Sequence, residues 1–186
     1  LRSPLFIGMS TCTFLCFGAF FTWFVVGPVL LIEELKISPT SFGWLTFVGG
    51  GISHALSAYF NGRLVSHLGM AAMLRFGWSI MSLSGIFMVL GYVIFGMNVW
   101  VIMLPIVWFY FGATFIWPNA FAIAFTPFGA IAGYAGALYG FMQICGAAVF
   151  AGMISYLPDH NQVPLAIVMI VIPVIAWIIF EKKVVR

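Results

Sequence analysis

Six apolar runs, each near or above the length that carries a helix across a bilayer, occupy nearly all of this 186-residue chain. The hydrocarbon core of a membrane needs about 20 apolar helical residues to cross. The runs cover about 5–32, 41–60, 70–95, 99–125, 133–157 and 163–180. None shows the strict apolar–polar alternation of a barrel strand, and only helices or closed barrels satisfy the backbone in lipid. The pattern therefore predicts an all-α integral membrane fold, a single six-helix transmembrane bundle over residues 1–186. Hydrophobic residues make up 64% of the chain and charged residues 6%, which excludes an ordinary soluble domain, where charge runs near a quarter.

The few charges report orientation, because basic residues near span ends are retained on the cytoplasmic side. With the amino end inside, Arg2, Arg63, Arg75, Lys182, Lys183 and Arg186 all fall on that side, and Lys36 alone lies outside. Glu33, Glu34 and Asp159 occupy external loops, while Glu181 is internal. An even number of spans returns the chain to its starting side, in keeping with the basic tail. The net charge of +3 thus reads as topology, and no contiguous basic patch offers a nucleic-acid surface. The chain starts at Leu1 without an initiator Met and enters a span too long for a signal peptide's apolar region. A processed, truncated or partial polypeptide is the expectation.

Polar chemistry inside the spans is sparse. Cys12 and Cys16 share a helical face, Cys145 sits on the fifth span, and no His accompanies the pair at metal-ligand spacing, so small apolar packing is expected, with no metal and no cofactor. His54 is the one ionisable side chain well inside a span; it reads either as a cavity or protonation site, or as a neutral ring bonded to a neighbouring helix. No Asp or Glu lies deep in any span, so a proton-driven pump built from this chain needs His54 or a carboxylate elsewhere. His67 and His160 fall at opposite membrane ends, and no Ser–His–oxyanion arrangement is legible, which argues against an enzyme.

Aromatic residues concentrate in the first span (Phe14, Phe17, Phe20, Phe21, Trp23, Phe24) and the fourth (Trp108, Phe109, Tyr110, Phe111, Phe115, Trp117). On the fourth, Trp108, Phe111, Phe115 and Asn119 follow helical spacing and predict an apolar wall ending in an amide. Such a wall suits lipophilic or cationic aromatic compounds; lipid contact is the plainer account of many of these rings. The fifth span is rich in Gly and Ala, with Gly136 and Gly140 forming a small-xxx-small pair for close helix contact, and Gln143 is either helix glue or a substrate contact. Pro105 and Pro118 in the fourth span, and Pro28 and Pro173 near the ends of others, predict local kinks.

Several short patterns converge on one resemblance: Ser38-Pro39-Thr40-Ser41-Phe42-Gly43 entering the second span, Asn61-Gly62-Arg63-Leu64 after it, Pro118-Asn119-Ala120 in the fourth, and Ala132-Gly133-Tyr134-Ala135-Gly136-Ala137-Leu138 followed by Gln143. With this span order, the chain resembles the carboxy-terminal six-helix half of a major facilitator superfamily transporter, of the Bcr/CflA-like multidrug efflux branch. The turn between spans two and three is similar to that family's gating motif. Gly62, Leu64 and Gly69 keep the frame, with Arg63 beside them in the candidate gating loop, whereas Ser66 takes the acidic position, His67 the basic one, and Met70 and Ala71 replace the terminal basic pair.

The resemblance implies a secondary active transporter, a proton-coupled antiporter that exports drugs or other small lipophilic molecules by alternating access. It further implies a bacterial inner (plasma) membrane location with both termini of this segment cytoplasmic. The partners it implies are a small-molecule substrate, protons as the coupling ion, the lipid bilayer, and a missing amino-terminal six-helix half in the same or another chain. By the same mapping, Phe20, Phe24, His54, Trp108, Phe115, Asn119 and Gln143 are the candidate substrate-binding residues. The competing expectation is a self-contained six-span accessory or structural membrane protein without transport activity.

Overall fold

The structure, a computed structural model, describes residues 3–128, 131–156 and 161–184. Arg2, Asp159, His160 and Arg186, on which part of the orientation argument rests, lie outside the described residues. Local signals set the helix boundaries. Pro4 opens α1 (Pro4–Pro28), where a missing N–H costs nothing. Pro28 cannot donate to the preceding turn, and the chain widens there into a single π-helical segment, Val29–Glu34. Ser38 caps α2 (Pro39–Leu68), its Oγ accepting from the Ser41 amide at 3.1 Å. Gly69, at φ +80°, is the single residue between α2 and α3 (Met70–Phe95), a left-handed conformation that glycine takes without a Cβ penalty. Asn98 then caps α4 (Val99–Phe125) by accepting from the amides of Trp100 and Val101, both at 3.1 Å. The chain closes with α5 (Ala132–Ile154) and α6 (Val163–Lys183).

All described elements are helical, as the apolar runs predict. Five helices are long and apolar enough to cross a membrane; α2, the sixth, has 30 residues but a lower mean hydropathy because Gly, Ser, His and Asn recur along it. Its limits correct the sequence reading most. The second run closes at about 60, yet the helix continues through Leu68, carrying Gly62, Arg63 and Leu64 within it. No residue after Phe60 forces a break until Gly69, and a helix that leaves lipid keeps its backbone bonded. Pro105 and Pro118 likewise sit inside one continuous α4 and do not divide it.

Helix α1 packs mainly on α5 and α6, α3 on α4 and α6, and α2 on α4, with α1 also reaching α4. One face of α1 ties three neighbours: Cys12 Sγ donates to the Ala176 carbonyl on α6 (3.2 Å), Thr13 Oγ1, its own proton given to the Met9 carbonyl, accepts from Tyr139 Oη on α5 (2.7 Å), and Cys16 Sγ accepts from Trp78 Nε1 on α3 (3.3 Å). Lipid tails are as apolar as leucine, so association rests on close packing and such bonds rather than on expulsion of water. The α3–α4 crossing is close from both sides, because a Cβ on Gly77 would stand 2.7 Å from the Gly112 carbonyl oxygen, and one on Gly112 equally 2.7 Å from that of Gly77.

On α5 the close approach differs from the expected one. A Cβ at Gly146 would collide with the Phe14 backbone of α1, whereas Gly140 has nothing within 4 Å and Gly136 meets only the Phe125 ring at 3.8 Å. The Gly136–Gly140 pair therefore faces away from this bundle's own contacts.

Candidate functional site

The aromatic density of α1 and α4 converges on one imidazole. His54, half-buried on α2, lies 6.1 Å from the Phe20 ring, 6.0 Å from Tyr110 and 5.5 Å from Trp117, centroid to centroid. Phe20 meets Tyr110 at 4.3 Å and Trp117 edge-on at 5.0 Å, and Phe17 touches Trp117 at 5.8 Å. Outside them Phe21 and Phe24 continue the wall, 5.4 Å apart. Each favourable ring pair adds roughly 0.5–1.5 kcal/mol beyond the area it buries, so three helices are drawn together here.

Hydrogen bonding fixes the imidazole. His54 Nδ1 lies 3.0 Å from the Gly50 carbonyl, one turn earlier on its own helix. A carbonyl can only accept, so Nδ1 carries the proton and Nε2 is the acceptor of the neutral ring. The bond to a neighbouring helix considered for His54 is thus replaced by a bond within α2. Tyr110 Oη and Trp117 Nε1 beside it are buried without a partner among the described residues. A buried donor left unpaired costs about 1–3 kcal/mol.

The other candidate residues divide between this cluster and different surroundings. Phe20 stands at its centre and Phe24, 47% exposed, at its open edge. Trp108 points away, 57% exposed beside a lateral groove of about 370 Å³ between α2 and α4 that Leu56, Phe60 and Phe111 also line. Phe115 is fully buried, its ring 5.3 Å from Phe76 on α3. Asn119 Nδ2 donates to Asn61 Oδ1 at 2.6 Å and to the Phe115 carbonyl at 2.7 Å, which commits both its protons to structure. Gln143 is half-buried on α5, near the phase of Tyr139, Gly146 and Ala147, and joins none of the ring contacts. In the candidate gating segment, Arg63 is exposed and its Cζ lies 4.6 Å over the Tyr59 ring, while Gly69 forms the inter-helix break.

Sequence reasoning chose the 108–111–115–119 face of α4, but the face turned to His54 carries Tyr110, Thr114 and Trp117. The available signal was polarity: these three sit at i, i+4 and i+7, each with an apolar body and a polar tip, whereas Phe111 and Phe115 have none.

A multi-pass helical membrane bundle with an aromatic and imidazole cluster among three of its helices is the class that fold and site define. No family model matches the chain, and no solved structure matches it significantly. Two known proteins do. The chain is 41% identical over 73 residues to Multidrug resistance protein D of Escherichia coli (strain K12), an overlap of 39% of this chain and 18% of that protein. It is 23% identical over 170 residues to the Bicyclomycin resistance protein homolog of Haemophilus influenzae, covering 90% of this chain and 42% of the relative. The chain therefore spans less than half the length of the curated relatives it matches.

Proposed function

We propose that this chain is one six-helix half of a bacterial drug-efflux transporter of the major facilitator type, and that the cluster around His54 is its share of the substrate site. The observation that carries this reading is the convergence of Phe20, Tyr110 and Trp117 from α1 and α4 on a single imidazole, in a chain similar over 90% of its length to a resistance protein homolog. Rings of this kind hold lipophilic molecules by area and aromatic cations by their π faces. Phe20, Phe24 and His54 are the direct contacts in this reading. Asn119 and Trp108 act on the substrate through the α2–α4 contact, Phe115 through its packing on α3, and Gln143 from the α5 flank.

The open Gly136–Gly140 face of α5 supports a second bundle packing there, since small residues let membrane helices approach. Two bundles rocking about a shared cavity would provide alternating access, with inward proton movement driving export from the inner membrane. His54 or a carboxylate of the other half carries the proton. Gly69 at the inter-helix break and Arg63 in the last turns of α2 before it lie on the cytoplasmic side in this reading, where the gating segment would work.

Ethidium efflux from cells that express the full reading frame tests this directly. Export that exceeds the empty-vector control and stops on addition of a protonophore supports the reading. Export equal to the control, from protein verified in the membrane, refutes it.

A further inference from the structure

The cluster around His54 contains two donors that the folded chain does not use. Tyr110 is 3% exposed, yet its Oη finds no acceptor, and the same is true of Trp117 Nε1. Buried polar groups are nearly always paired, so an exception calls for a cause. Packing alone does not require them here: phenylalanine, used five times on α1 between Phe14 and Phe24, would fill the same ring positions without an orphaned proton. Phe17 and Phe20 on the wall opposite offer no acceptor, and neither donor bonds the neighbouring His54 ring, whose Nδ1 proton goes to Gly50.

We infer that Tyr110, supported by Trp117, forms a hydrogen-bonding subsite for neutral aromatic ligands that carry an acceptor oxygen, such as a ketone, ether or amide. The ligand oxygen takes the Tyr110 Oη proton. Its ring lies where Phe20 now covers Tyr110, with Phe20 displaced toward the half-buried Phe21 and the exposed Phe24. No carboxylate belongs to the cluster, so only its ring faces can hold a positive charge, and its unused donors select for an acceptor oxygen instead. The inference rests on the transporter reading and names the substrate chemistry of that site.

A matched pair of ligands tests it without relying on a variant. Benzophenone and diphenylmethane share two rings and differ in carbonyl against methylene. Equilibrium dialysis of both, in labelled form, against the full-length protein in lipid nanodiscs, with empty nanodiscs subtracted, gives their affinities. The ketone is expected to bind about tenfold more tightly, the scale of one well-made hydrogen bond in a dry site. Tyr110→Phe, which keeps the ring, should remove most of that preference and leave diphenylmethane binding as it was. Equal binding of the two compounds by the unaltered protein overturns the subsite and leaves the efflux reading standing on the ethidium assay. A Tyr110→Phe protein that keeps the full ketone preference overturns it as well. Binding of neither compound removes both this subsite and the placement of the substrate site at His54.

Discussion

Asn61 on α2 and Asn119 on α4 share a 2.6 Å hydrogen bond, and it is the last of three ties along one line. Ser53 Oγ donates to the Val107 carbonyl and Ser57 Oγ to that of Phe111, each at 2.7 Å. Ser53, Ser57 and Asn61 are spaced by four and are the buried residues of α2. The helix thus turns its polar stripe inward and its Trp44, Phe47, Ile52 and Leu56 outward.

Breaking that line should loosen α2 selectively. Interhelical hydrogen bonds in membranes average about 0.6 kcal/mol and reach about 1.7. Ser57→Ala is expected near the lower figure. Asn61→Ala should cost about 1–2 kcal/mol, because it also strands an Asn119 proton. Denaturation by SDS in mixed micelles measures both, and equal, negligible losses would show that the line does not hold α2.

The glycines of α5 should differ sharply in tolerance. Gly146→Val drives side-chain atoms into the Phe14 backbone, which cannot step aside as a flexible side chain could, and should cost at least about 3 kcal/mol. Gly140→Ala meets open space within this bundle and should leave its fold intact. The yield of monodisperse protein after detergent extraction distinguishes them. Under the proposed efflux function, a transport defect from Gly140→Ala in well-folded protein would support a second bundle packed against that face.

Where the start of α3 meets the end of α6, Arg75 holds Glu181 through two bonds, 2.6 Å from Nε to Oε1 and 3.0 Å from Nη2 to Oε2, with Trp177 Nε1 adding a third at 2.9 Å. The two side chains remain 40% and 37% exposed. Water and salt screen such exposed pairs, so Glu181→Gln should lower the unfolding temperature only slightly, and less at high salt. A large, salt-independent loss would mean that the pair is a structural keystone.

Thiol labelling offers a check on packing. Cys12 and Cys16 are fully buried, and Cys145 is half-buried. N-ethylmaleimide should therefore modify Cys145 first and reach the other two only after denaturation. Early modification of Cys12 would contradict the α1–α6 contact.

For His54, replacement by Gln keeps a donor for the Gly50 carbonyl while removing the ionisable ring. Proton-driven export that persists at unchanged protein abundance would assign the coupling proton to the other half. Loss of the pH response with substrate binding retained would assign it to His54.

The helical class and most helix limits were legible because hydropathy is a property of each stretch of chain, and a membrane demands a set length of it. Where helices stop was less so: α2 runs to Leu68 because a helix end outside lipid is set by the next breaker, Gly69, and hydropathy is silent about it. Of the site, His54 and Phe20 could be found from the rarity of a buried imidazole and the density of rings. Tyr110 and Trp117 were missed because hydropathy does not weigh the polar tips that set their face of α4 apart from that of Phe111 and Phe115.

By itself, then, the sequence determined that these are membrane helices, how many there are, and which residue types crowd them. Only the tertiary structure decided which side of each helix turns inward, placing Ser53 and Asn61 against α4, Gly146 rather than Gly140 against α1, and Tyr110 against His54. The physical reason is that lipid and protein interior are equally apolar solvents. A side chain's hydropathy cannot choose between them, and the choice falls to shape and to the hydrogen bonds that neighbouring helices supply.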